Sequence, residues 1–108
     1  MTPADIFAEI NRRLEADPSK VAGMNAIYNF DVQGDTGGQY HIILDNGTGT
    51  AGEGAEPHPN ITITVKDEDF VAIAGGDMDP AGAFMKGKIK IKGDMGLAMK
   101  LQSLLKTG

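Results

Sequence analysis

Five residues late in the chain, Lys88-Ile89-Lys90-Ile91-Lys92, alternate cation with isoleucine at every step. A period of two is the mark of a strand that is wet on one face and packed on the other. Gly93 breaks the alternation, Asp94 is placed to cap a helix, and Leu97, Leu101, Leu104 and Leu105 then recur at helical spacing. Upstream, Asp79-Pro80 opens a short helix bearing Phe84 and Met85. Fewer than thirty residues, Asp79 to Leu105, therefore read helix, strand, helix. No side chain in this run stands in a context that would activate it to attack a bond. It offers soft apolar surface beside a row of cations, which suits holding a greasy molecule.

The rest of the chain supplies the sheet that this run completes. Thr2-Pro3-x-Asp5 is a helix start, with proline early and an acid near the positive end. Ile6, Phe7, Ile10 and Leu14 give that helix one apolar face before Asp17-Pro18 ends it, and Val21 to Met24 predict a further half-turn. Tyr28, Phe30 and Val32 alternate with Asn29 and Asp31, so a strand begins near Ala26. The turn Asp35-Thr36-Gly37-Gly38 leads to Tyr40-x-Ile42-x-Leu44, and Asn46-Gly47 signals a tight hairpin into a third strand. That strand, Thr48 to Glu56, is glycine-rich and almost free of large apolar side chains, which places it at a sheet edge. After Pro57 and Pro59 come a strand over Ile61 to Val65 and a helix over Asp67 to Ala74, closed by Gly75-Gly76.

This order predicts an α+β fold, with helices gathered on one face of a twisted, five-stranded sheet. The first three strands pair antiparallel through short turns. Roughly two dozen residues join the fourth and fifth, enough for a crossover, so the sheet is expected to be mixed but mainly antiparallel.

Particular residues in these elements carry a family resemblance. Phe84-Met85-Lys86-Gly87-Lys88-Ile89-Lys90-Ile91-Lys92-Gly93-Asp94-Met95, followed by Leu97-Ala98-Met99-Lys100-Leu101, resembles the C-terminal signature of the sterol carrier protein 2 family of lipid-transfer domains. Tyr28-Asn29-Phe30-Asp31-Val32 resembles the family's first strand, and Pro59-Asn60-Ile61-Thr62-Ile63-Thr64 with Asp67-Glu68-Asp69-Phe70 its fourth strand and the next helix. The resemblance implies the same five-stranded arrangement, with an apolar tunnel between sheet and helices. It also implies a lipid or acyl ligand: a fatty acid, fatty acyl-CoA, phospholipid or sterol-like molecule. Family members are often fused to enzymes, and eukaryotic ones often end in a peroxisomal tripeptide. Leu105-Lys106-Thr107-Gly108 supplies none, so no peroxisomal address is expected, and with little sequence flanking the domain a stand-alone member is expected.

Composition narrows the functional classes. At 108 residues the chain has room for one core, so a single domain over 1–108 is expected. It has no cysteine, hence no disulfide framework and no thiolate site. No apolar run approaches the roughly 20 residues that span a bilayer, and no signal-peptide core is visible, so a cytoplasmic setting is expected. Residues 1–85 hold 14 acidic and 4 basic side chains, whereas residues 86–108 hold 1 acidic and 6 basic. That overall acidity excludes nucleic acid as the expected partner, because phosphate binding needs a basic surface. Locally, Lys86, Lys88, Lys90 and Lys92 are candidates for an anionic head group or membrane surface, at about 1 kcal/mol per lysine. They also read simply as the wet side of a guarded edge strand.

Reactive motifs fail on context. Gly47-x-Gly49-x-x-Gly52 fits a dinucleotide fingerprint in spacing, but Glu53-Gly54-Ala55-Glu56-Pro57 follows where a helix N-terminus must stand. His41 and His58 are the only histidines, and neither has a second ligand at metal spacing. Asp67-Glu68-Asp69 serve a helix start. Ser19 and Ser103 sit in no nucleophile context. No enzyme, cofactor or metal is expected. There remains the apolar inventory, in which Met85, Met95 and Met99 crowd the C-terminal region, and methionine adapts to ligands of varying shape. Amphipathic position nominates Phe70, Ile73, Phe84, Met85, Ile89, Leu97, Leu101, Leu104 and Leu105 as cavity walls, with the last helix lining or gating the cavity. The alternative is a protein-interaction or enzyme-accessory module on the same fold without a cavity, joined through edge addition at the third strand.

Overall fold

The structure is a computed structural model that describes residues 2–17 and 23–105, with 101–105 described only as the helix they continue. Of the expected half-turn over Val21–Met24, Val21 and Ala22 lie outside the described residues. Helix α1 spans Pro3–Ala16 and starts on a capping box, in which Thr2 accepts from the Asp5 backbone while the Asp5 carboxylate accepts from the Thr2 N–H. Strands β1 (Asn25–Gln33), β2 (Gly38–Asp45) and β3 (Thr48–Glu53) follow as a meander. Then come β4 (Ile61–Lys66), α2 (Asp67–Ala74), α3 (Pro80–Met85), β5 (Ile89–Gly93) and α4 (Met95–Leu105). Asn46 (φ 48°) and Gly47 (φ 91°) are both left-handed, the requirement of the two-residue turn that joins β2 to β3.

The five strands lie in the order β3-β2-β1-β4-β5. β1 pairs antiparallel with β2, β2 with β3, and β4 with β5, whereas β1 and β4 run parallel. The sheet is thus mixed and mainly antiparallel, as expected, but the parallel pair differs from the expected crossover. α2 and α3 return the chain so that β5 runs back along β4, and it is the β3–β4 connection that brings β4 beside β1. That connection is tied down on the open side of the sheet. Asn29 Nδ2 donates to the Glu56 carbonyl at 2.8 Å and Asn29 Oδ1 accepts from the Glu56 N–H at 3.0 Å. His41 Nδ1 lies 3.0 Å from the Gly54 carbonyl oxygen. Because the loop is held this way, β3 ends at Glu53 and not at Glu56.

The other face of the sheet carries the core. Tyr28, Phe30 and Val32 of β1, Tyr40, Ile42 and Leu44 of β2, and Ile61, Ile63 and Val65 of β4 are all buried there. α1 covers one end of this face with Ile6, Phe7, Ile10 and Leu14, each fully or nearly fully buried. It lies so close to β3 that a Cβ on Gly49 would come within 3.0 Å of the Leu14 side chain. Glycine at this edge therefore serves backbone approach, not phosphate binding. Asn11 of α1 accepts from the Ala51 N–H at 2.9 Å, so a helix side chain occupies part of the edge where strand addition was the alternative.

Candidate functional site

Over β4 and β5 the helices do not close on the sheet, and a pocket of about 270 Å³ remains. Its floor follows from the register. Phe30 stands beside Ile63 and Ile63 beside Ile91, while Val65 stands beside Ile89, so facing strands present neighbouring apolar side chains. Phe70 and Ile73, three apart on one side of α2, form the back wall. α3 contributes Pro80, Ala81, Phe84 and Met85, and α4 contributes Met95, Ala98 and Met99 at the helical spacing i, i+3, i+4. Every lining side chain is apolar.

Local sequence holds the two short helices over this floor. Asp79 caps α3 by accepting from the Gly82 N–H at 3.1 Å, with Pro80 at the first helical position. Between β5 and α4 the chain turns at Gly93, whose φ of +125° is left-handed territory and whose added Cβ would lie 2.4 Å from the Asn60 carbonyl oxygen. The Asp94 side chain then accepts from the Gly96 N–H at 2.8 Å, in the expected capping position. Asn60 also fastens this corner, because its Oδ1 accepts from the Ile27 N–H at 2.8 Å and its carbonyl from the Asp94 N–H at 3.3 Å. From below, the buried Tyr28 hydroxyl donates to the Leu97 carbonyl at 3.1 Å. Burial pushes the Tyr28 phenol up to about 12, with the negative charge of Asp94 adding to the effect.

The pocket is open, and its rim is greasy. Phe84 is 41%, Met95 45%, Met99 72% and Met85 85% exposed, and all four line the opening. Among the described residues these are the exposed large hydrophobic side chains, and they meet at one place. Scattered exposed leucines need no explanation, whereas a contiguous apolar rim around a cavity marks a binding site.

The sequence-nominated residues divide. Phe70, Ile73, Phe84, Met85 and Ile89 lie on the pocket wall. Leu97 does not: it packs half-buried against the core, and its contribution is the carbonyl that holds Tyr28. The side chains of Leu101, Leu104 and Leu105 lie outside the described residues. Sequence reasoning did not place Phe30, Ile63, Val65 and Ile91 on the wall, though the strand alternation put them on the inward face. It also left out Pro80, Ala81 and Ala98, whose small side chains gave no signal. The lysines are displaced from the pocket. Lys90 pairs with Thr64 and Lys92 with Thr62, on the sheet face opposite Ile89 and Ile91, and Lys88 shares their side of the alternation. Lys86 is exposed next to Met85 at the end of α3. His41 serves the β3–β4 connection and His58 is exposed on it, both remote from the wall. No group of three or more metal-ligating side chains occurs among the described residues.

An α+β sheet with helices on one face and an open pocket walled only by apolar side chains is a site built for an apolar ligand. The chain belongs to the SCP-2 sterol transfer family, whose sequence profile matches residues 7–106. It is 39% identical over 103 residues to sterol carrier protein 2 of Homo sapiens, a match covering 92% of this chain and 19% of that protein. It is likewise 39% identical over 89 residues to hydroxysteroid dehydrogenase-like protein 2 of Danio rerio, covering 82% of this chain and 21% of the relative. The chain thus spans about a fifth of the length of these curated relatives. Among solved structures, palmitated SCP2L2 from Aedes aegypti superposes with a TM-score of 0.81 at 28% identity, over 97% of this chain and 95% of that one.

Proposed function

We propose that the pocket over β4 and β5 takes up the acyl tail of a lipid and that the domain carries it without changing it chemically. One observation carries this reading: a cavity of about 270 Å³, walled by apolar side chains and open at an apolar rim. Its size lies just below the roughly 300–1,000 Å³ of pockets for drug-sized ligands, which suits a narrow, flexible tail better than a rigid ring system. A fatty acid, a fatty acyl-CoA or a phospholipid tail fits this description better than a sterol, and palmitate on a structural neighbour points the same way. Each buried methylene gains about 0.8 kcal/mol, against association costs of about 4–15 kcal/mol. The resulting affinity is modest, which suits a carrier that must release its cargo. The described wall holds no nucleophile, acid or base, which supports a non-catalytic role.

Lys86, Lys88, Lys90 and Lys92 belong to this reading as the contact with an anionic membrane or head group. Lys88, Lys90 and Lys92 flank the β5 edge from the far side of the sheet and Lys86 stands at the end of α3, so the four meet a bilayer together when the domain approaches along that edge, with the rim of Met85 and Met99 beside them. No helix of the described residues is long and apolar enough to cross a membrane. A single domain over 1–108 working in the cytoplasm, and handing lipid to a lipid-metabolising enzyme, completes the proposal. The presence of a cavity speaks against the interaction module without one.

Native mass spectrometry of freshly purified protein, followed by extraction of bound lipid, tests the central claim. The expected result is a co-purifying acyl chain. An empty protein that also ignores a fluorescent fatty-acyl probe defeats it.

A further inference from the structure

The main pocket has a neighbour. Between α1 and β3 lies a second groove of about 420 Å³, floored by Phe7 and Tyr40 and bordered by Ala4, Ala8, Ala51 and Gly52, with Asn11, Arg12 and Glu53 at its rim. The two spaces share no lining residue, yet a single aromatic stack separates them. Phe7 lies nearly parallel to Tyr40, with ring centroids 4.5 Å apart and planes 6° apart. On its other side it lies nearly parallel to Phe70, at 5.1 Å and 9°, and it meets Phe30 edge-on at 5.0 Å. Phe70 and Phe30 face the main pocket, and Tyr40 faces the groove. Phe7 is therefore the middle ring of a three-ring partition between two cavities.

We propose that Phe7 sets the length of tail the domain accepts. A tail entering past Met85 and Met99 runs along Ile63 and Ile91 and stops against Phe70 and Phe30. Phe70 keeps that position because Phe7 stands behind it. With the Phe7 ring reduced, the end wall yields, and the last methylenes of a longer tail pass toward the small side chains of Ala8 and Ala51. The groove beyond is otherwise unused, and Ala4, Ala8, Ala51 and Gly52 give it its room beside the polar side chains of Asn11, Arg12 and Glu53. This inference rests on the lipid-binding reading above and deepens it by naming the residue that selects among tails.

The test is affinity against a series of straight-chain fatty acids, from about ten to about two dozen carbons, for wild type and Phe7→Leu, a variant chosen to keep an apolar side chain on α1. In wild type, affinity rises roughly fourfold per added methylene and then stops rising at one chain length. In Phe7→Leu the rise continues for at least two further methylenes, so that such chains bind roughly ten- to fifteen-fold tighter than to wild type. Adding Ala8→Trp to Phe7→Leu fills the groove from outside and returns the break to its wild-type length. A break at the same length in wild type and Phe7→Leu overturns the proposal while leaving lipid binding intact. Failure of wild type to bind any member of the series overturns both readings.

Discussion

The two ends of the sheet treat the same inward face in opposite ways. At the β3 end, α1 runs 14 residues along the sheet and buries Ile6, Phe7, Ile10 and Leu14 against it. At the β5 end, α3 has only six residues, a length of about 9 Å, and α4 meets the sheet through Leu97 and Ala98 while Met95 and Met99 stand out. An amphipathic helix of nearly four turns laid along the sheet can close a face, whereas a six-residue helix and a helix that meets the sheet through Leu97 and Ala98 leave a gap between them. Apolar surface that goes uncovered is then concentrated at one opening and not scattered. The closed end holds the fold together, and the open end is where a ligand can replace missing protein.

Substitutions at the two ends should therefore separate stability from binding. The largest effect on stability is expected at the closed end: Ile10→Ala removes a side chain that is 1% exposed and should cost about 2–5 kcal/mol in denaturant titration. A cost below about 1 kcal/mol would break the comparison, because α1 would then be no better packed than the rim.

Tyr28→Phe tests the link between the ends and should cost about 1 kcal/mol through the lost bond to the Leu97 carbonyl. It also has a pH signature. The folded phenol holds its proton up to about 12, above the unfolded value near 10. Folding then favours the protonated form, so this stabilisation is whole below about pH 10 and is lost as the pH climbs toward 12. Alkaline titration of stability should show the decline in wild type and lack that component in Tyr28→Phe.

Rim substitutions should have the smallest effect on folding. Met85→Ala and Met99→Ala are expected to change stability by no more than about 0.5 kcal/mol, as at other exposed sites, while weakening fatty-acid affinity severalfold. Unchanged affinity in both variants, measured by probe displacement, would sharpen the picture by moving the binding surface deeper, onto Phe70 and Ile89.

The sequence was most legible where local chemistry decides structure. Asp67-Glu68-Asp69 and Gly75 bracket α2 on the predicted residues, Asn46-Gly47 makes its hairpin, and the isoleucine–lysine alternation of β5 states which side faces inward. Pairing across distance was less legible. That β4 joins β1 in parallel depends on Asn29 and Asn60 gripping the β3–β4 connection, and nothing local to either asparagine announces a partner so far along the chain. The pocket divides in the same way. Phe70, Ile73 and Ile89 follow from periodicity, but Ala81 and Ala98 matter by being small, and Leu97 has the right spacing yet turns to the core. The Tyr40–Phe7–Phe70 stack joins three separate elements, so no window of sequence contains it.

A described wall without a single polar side chain has a consequence for discrimination. Binding sites reject a wrong molecule most sharply when it leaves one of their own donors or acceptors unpaired. This wall has none to leave unpaired, so it cannot tell an acid from an alcohol or an amide by what lies inside. Inside the pocket, competitors that share a tail differ only by length, and any choice among head groups falls to residues outside it. On the proposed function, the cargo would then be a sample of the tails around the domain, with a detergent as eligible as a lipid.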